Sequence, residues 1–139
     1  MGCKYEGYCS DMTRTIFMGC ILEEIKPVYD LTLKNLELST KEITDGYTIK
    51  TAANMVESDF KVNGYNLIHA LGHGVGLEVH ELPFIRLKNE ANFKENMVIA
   101  DEPGIYLPGK YGIRIEDTLL VTKDGSERLT KSERGYVVI

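Results

Sequence analysis

Residues 69–83 read HALGHGVGLEVHELP, and no other stretch limits the possible folds of the chain so strongly. Glycines at 72, 74 and 76 would each cost about 1 kcal/mol relative to alanine inside a helix, which argues for extended chain. There a missing Cβ lets a second backbone or an ion come close. The hydrophobic period also changes across this segment. Ahead of it, Pro27 opens a helix whose Tyr29, Leu33, Leu36, Thr40 and Ile43 share one face, and Gly46 stops it. A second helix is expected over 51–62, with Ala52, Val56 and Phe60 at every fourth position. Behind it, Met97 to Ala100 form a short apolar run. GIRIEDTLLVT then alternates, with Ile113, Ile115, Leu119 and Val121 on one side and Arg114, Glu116 and Thr118 on the other. Lys123-Asp124-Gly125 is a turn signal that brings SERLT back as a hairpin. At the start, YEGYCSDMTRTIFM reads as one or two strands with Gly7 at a bend or bulge. The outline is α+β, helices packed on a mostly antiparallel or mixed sheet, in one domain over 1–139.

The glycine segment also holds all three histidines of the chain. His69 and His73, four apart, share a face of an extended strand. His80 lies at an odd offset from His73 and needs a turn or bulge near the glycines to reach the same cavity. A lone histidine is most often a half-buried, hydrogen-bonded one, but three among glycines point to chemistry. Asp11 sits mid-strand, where aspartate is disfavoured. Glu102 ends an apolar run before Pro103, and Glu116 faces outward between Arg114 and Thr118. Singly these are solvated carboxylates. With the histidines they offer oxygen-rich ligation with one or two nitrogens, which suits Mn²⁺, Co²⁺ or Zn²⁺ in a metal-assisted hydrolytic centre.

Composition narrows the setting. With 43% hydrophobic and 27% charged residues, the chain reads as soluble and globular. A net charge of −5 opposes nucleic acid or an anionic membrane as main partner. No apolar run approaches the roughly 18 residues of a membrane span. Three cysteines without a CxxC pair fit a reducing compartment, so the cytoplasm is the expected location.

At these residues the sequence resembles the creatinase/aminopeptidase family and its pita-bread fold, within it the aminopeptidase P and prolidase branch, which acts on Xaa-Pro bonds. GYCSDMTRTIFMG is similar to that family's strand carrying a metal-ligand Asp, and HALGHGVGLEVHELP to its histidine segment. DEPGIY and GIRIEDTLLVT resemble its two glutamate segments. HELP, EPGIY and RIED fit the proline-specific branch better than the methionine aminopeptidases. The resemblance implies that Asp11 and Glu116 bridge two metal ions, manganese foremost, while His73 and Glu102 bind the first. It further implies a hydroxide between the ions as nucleophile and Glu102 as proton shuttle. His80 would stabilise the tetrahedral intermediate, His69 would contact substrate, and Arg114 would organise the carboxylates. The partner implied is a peptide with proline after its first residue.

In that family a further Asp, followed by a hydrophobic residue and Gly, binds the second metal. Met1-Gly2 would fill the last two positions, so that Asp would fall before residue 1. The chain is therefore expected to be the C-terminal portion of a pita-bread catalytic domain lacking its N-terminal half. One ion or none is expected, exposed apolar surface and unpaired edges favour a homo-oligomer, and activity of these residues alone is not implied. The competing reading is a non-catalytic pita-bread module that binds peptides or proteins. Creatinase-like chemistry without metal is a third, and the intact ligand positions count against both.

Overall fold

A computed structural model describes residues 1–139. A hairpin of β1 (Lys4–Tyr5) and β2 (Tyr8–Cys9) leads through irregular chain to β3 (Ile16–Phe17). Two helices follow, α1 (Lys26–Glu42) and α2 (Ile49–Val62). Then come β4 (Gly72–Gly74), β5 (Glu81–Ile85), β6 (Val98–Asp101), β7 (Gly104–Leu107), β8 (Tyr111–Arg114), β9 (Asp117–Thr122), β10 (Gly125–Arg128) and β11 (Val137–Val138). Five strands form one antiparallel sheet in the order β10-β9-β6-β4-β5. β7 and β8 form a separate hairpin, and β11 pairs with β3 in parallel. The fold is α+β, as the change of period implied.

Antiparallel register divides this sheet into two faces, because residues directly opposite share a face. Phe84, His73, Ala100 and Thr118 lie opposite one another across β5, β4, β6 and β9. The alternate set, Ile85, Ile99, Asp101, Asp117 and Leu119, is buried beneath the helices. On α1 the buried stripe runs through Tyr29, Thr32, Leu36 and Ser39, with Leu33 and Thr40 only half-buried. The expected face is thus rotated slightly, and its centre carries polar groups that have partners. Thr32 donates to Val28 O at 2.8 Å, and Asn35 reaches Asp59 on α2 at 2.7 Å. On α2, Ala52, Val56 and Phe60 are fully buried, as the fourfold spacing required. Gly7 has φ of 87° in the β1–β2 turn, and Gly46 has φ of 80° in the turn after α1.

Two expectations fail. Asp11 is not mid-strand: residues 10–12 are irregular. This stretch nevertheless runs antiparallel beside 114–118, joined largely through threonine hydroxyls. Thr118 donates to Asp11 O at 2.6 Å, Thr13 and Glu116 form an isolated bridge, and Thr15 donates to Arg114 O at 3.0 Å. GIRIEDTLLVT, in turn, is two strands and not one. Ile115 and Glu116 lie between β8 and β9, and residues 115–119 are all buried, so Glu116 does not face solvent. The covering is lateral: the 11–15 segment runs beside it, its Arg14 side chain bonding Glu116 O and Asp117, and Arg134 joins at Asp117. Exposed apolar side chains do occur, among them Tyr5, Tyr8, Leu77 and Leu82. No helix is long and apolar enough to cross a membrane, and the three cysteines are free.

The glycines of the opening segment are needed for close packing. A Cβ on Gly72 would lie 1.9 Å from Ala100 O, and one on Gly74 would lie 2.3 Å from Leu82 O. Both obstacles are backbone of the neighbouring strands and cannot swing aside. Gly72→Ala is expected to cost at least about 3 kcal/mol, the upper range for overpacking, measured by urea unfolding.

Asp101 makes the buried face pH-sensitive. Its carboxyl is fully buried, and burial raises its pKa to about 8 despite hydrogen bonds from Ser39 and Thr40. Ser39 Oγ lies 2.8 Å from Asn35 O and 2.6 Å from Asp101 Oδ2. The folded pKa of Asp101 lies above the unfolded value near 4, so its contribution is complete below pH ~4 and is lost as pH rises to about 8. Asp101→Asn should flatten stability between pH 5 and 9, where the native protein loses on the order of 4 kcal/mol; denaturant midpoints across that range check this.

Candidate metal centre

On the face away from the helices, the register that places His73, Ala100 and Thr118 in a row also aims the next residues of like parity, Glu102 and Glu116, to that side. His73 is buried at the middle of β4. Its Nδ1 lies 3.0 Å from Gly74 O, which can only accept, so Nδ1 carries a proton, and a ring with no second proton presents its lone pair at Nε2. That Nε2 is 3.6 Å from Glu102 Oε1 and 3.8 Å from Asp11 Oδ2, and no hydrogen bond satisfies it. Glu116 accepts the Thr13 hydroxyl at Oε2, while its Oε1 is buried without a partner. Ligand atoms of His73, Glu102 and Glu116 lie within 4.8 Å of one another, and so do those of Asp11, His73 and His80. Asp11, His80, Glu102 and Glu116 border a cleft of about 670 Å³.

A lone pair facing carboxylates in a half-buried site is unfavourable unless a cation lies between them. The electrostatics agree. Burial raises the pKa of Glu102, with Asp11 adding and Arg114 opposing; burial raises that of Glu116, the Thr13 hydrogen bond opposing and Asp11 and Glu102 adding. Arg114 is the guanidinium nearest these acids. Its Nη1 is 3.7 Å from Glu102 Oε2, and its Nε donates to Thr13 Oγ1 at 3.1 Å. Three carboxylates and one imidazole form a donor set for a hard or borderline divalent ion.

The structure brings together Asp11, His73, His80, Glu102, Arg114 and Glu116. His80 arrives through the bends between β4 and β5, and its ring centroid is 4.2 Å from that of His73. His69 is different. It precedes β4 rather than sharing its strand, and it belongs to neither group of potential metal ligands. Its Nε2 is 3.0 Å from Tyr106 Oη, and burial, with the charge of Arg114, holds the ring below the ordinary imidazole range. Sequence reasoning missed Tyr106, Thr13 and Arg14. Tyr106 lies four residues beyond Glu102 inside DEPGIY, and Thr13 two beyond Asp11, where extended chain returns to the same face. Arg14 left no signal: its partners are Glu116 O at 2.6 Å, Asp117 Oδ1 at 2.7 Å and the 132–133 backbone.

An imidazole and acidic side chains converging on one face of an antiparallel sheet make a candidate divalent-metal centre. The chain belongs to metallopeptidase family M24, whose family model it matches over residues 1–123. It is 44% identical over 136 residues to the Xaa-Pro dipeptidase of Pyrococcus furiosus, an alignment covering 96% of this chain and 39% of that one. Among solved structures it resembles the X-Pro aminopeptidase of Thermotoga maritima, with TM-score 0.95 and 40% identity over 99% of this chain and 39% of that. The prolidase of Thermococcus sibiricus matches with TM-score 0.95 and 38% identity, over 99% of this chain and 38% of that one. The chain thus spans about two fifths of the length of the relatives it matches, and its fold is the corresponding part of the pita-bread fold.

Mn²⁺ is expected to raise the thermal midpoint of the chain, by an amount equivalent to about 2.7 kcal/mol at a hundredfold excess over Kd. The gain should be larger at pH 8 than at pH 6, because raised carboxylate pKa values make protons better competitors. His73→Ala should abolish it; a thermal scan with and without Mn²⁺ reads both.

Proposed function

We propose that residues 1–139 are the C-terminal portion of a pita-bread metallopeptidase catalytic domain, and that their site hydrolyses peptide bonds between any residue and proline. One observation carries the chemistry: two buried, unpartnered ligand atoms, His73 Nε2 and Glu116 Oε1, sit among the carboxylates of Asp11 and Glu102. The names of the relatives, Xaa-Pro dipeptidase and X-Pro aminopeptidase, support the substrate class. His73 and Glu102 would hold a first divalent ion, with Asp11 and Glu116 shared with a second; manganese suits so oxygen-rich a set. Bound there, divalent ions supply an acidified water, a polarised scissile carbonyl and charge to offset the oxyanion.

The side chains account for the rest. Glu102, held high in pKa by burial, would accept a proton from the attacking water and return it to the leaving nitrogen. Arg114, near Glu102 and hydrogen-bonded to Thr13, fixes the carboxylates relative to one another. His80 is exposed beside His73 at the cleft and can donate to the tetrahedral oxygen. His69, tied to Tyr106 at 3.0 Å, would contact the substrate near its amide.

The full-length protein that carries residues 1–139, supplied with Mn²⁺, is expected to release proline from Ala-Pro and to leave Ala-Ala intact. Glu102→Gln should lower the rate at least about a hundredfold, the usual size of a general acid–base contribution. A full-length protein that binds Mn²⁺ with loss on His73→Ala, yet never cleaves Ala-Pro, would overturn the peptidase reading and leave the metal centre standing. Ala-Pro-Ala as a second substrate separates an aminopeptidase, which cleaves it, from a dipeptidase.

A further inference from the structure

We infer that Thr13 is a positioning residue of the metal centre, its hydroxyl serving as a one-proton relay that turns Glu116 toward the cation. The inference rests on the reading of Glu116 as a ligand. Thr13 Oγ1 has one proton to give and lone pairs to receive. Arg114 Nε, which can only donate, points at that oxygen from 3.1 Å. The Thr13 proton is therefore directed elsewhere, and the acceptor in reach is Glu116 Oε2. With Oε2 engaged, the carboxylate is held with Oε1 buried and unpartnered, and a Glu116 carboxylate oxygen lies within 4.8 Å of ligand atoms of His73 and Glu102.

Backbone contacts hold the relay in register independently of the hydroxyl. Glu116 N donates to Thr13 O at 3.1 Å in the isolated bridge, and Arg14 Nη1 donates both to Thr13 O at 2.8 Å and to Glu116 O at 2.6 Å. Valine at position 13 keeps the β-branched shape and these backbone bonds while removing the hydroxyl alone. Glu116 Oε2 and Arg114 Nε would then be left without their common partner. The remedy open to them is a direct carboxylate–guanidinium pair, which draws Glu116 off the cation.

Mn²⁺ affinity, followed by the electron paramagnetic resonance of free Mn²⁺, tests this in the intact chain. Thr13→Val is expected to weaken binding at least about tenfold, the usual effect of losing a group that orients a ligand. Thr13→Ser, which restores the hydroxyl, should bind within about twofold of the native chain, and the thermal midpoint of metal-free Thr13→Val should stay near the native one. Native-like affinity in Thr13→Val, or weakened affinity that serine fails to rescue, would overturn the relay. If the native chain and His73→Ala bind Mn²⁺ equally poorly, the metal centre itself falls and the relay with it. Binding lost in His73→Ala but kept in Thr13→Val sinks the relay alone.

Discussion

The centre depends on one pairing of segments far apart in the chain: residues 11–15 laid antiparallel against 114–118. It brings Asp11 beside Glu116 across more than a hundred residues of sequence, and threonine hydroxyls do much of the joining. A regular ladder would spend its hydrogen bonds on backbone alone. Here Thr118 and Thr15 bond backbone carbonyls, while Thr13 turns its hydroxyl inward to a carboxylate. The departure from regular strand frees a side-chain donor at the place where a buried acid needs one.

Sheet register then separates two kinds of burial. Residues of one parity enter the helix-covered core, where Arg14, Thr130 and Arg134 answer Asp117, while Ser39 and Thr40 meet one oxygen of Asp101 and the other stays unpartnered. Residues of the other parity face the cleft. The glycines make this arrangement possible, since Gly72 and Gly74 let β4 press against both neighbours with His73 between them. Any side chain at 72 would wedge the strand that carries the imidazole away from the one that leads to Glu102.

Much of this was legible in the sequence, for physical reasons that differ by element. The helices were readable because α2 buries a strict fourfold stripe, and the β9–β10 hairpin because Lys123-Asp124-Gly125 closes it locally. The site residues were readable as types in spacing, six of them converging, and as a resemblance to a known family. What failed was everything decided by lateral neighbours. Period-two reasoning put Glu116 in solvent, since alternation describes a strand with one wet face and is blind to a segment packed on the other. The same blindness made Asp11 a mid-strand residue and placed His69 on the strand of His73, although β4 begins only at Gly72. Arg14 was invisible for a related reason: its partners are mostly backbone carbonyls and lie more than a hundred residues away.

The contrast between adjacent acids Glu116 and Asp117 carries the argument for function further than any single distance. Burial raises the pKa of Asp117 too, yet the hydrogen bonds from Thr130 and Arg14 and the charges of Arg134 and Arg14 outweigh it and hold the carboxyl below its ordinary range. For Glu116 burial prevails over the Thr13 hydrogen bond and Arg114, and the pKa rises. One residue apart, the chain compensates the acid that locks the structure and leaves undercompensated the acid that faces the cleft. Supplying a second guanidinium there would have stabilised the fold. Its absence, beside an imidazole lone pair with no donor to meet it, leaves a charge deficit shaped for a cation that the chain does not itself provide.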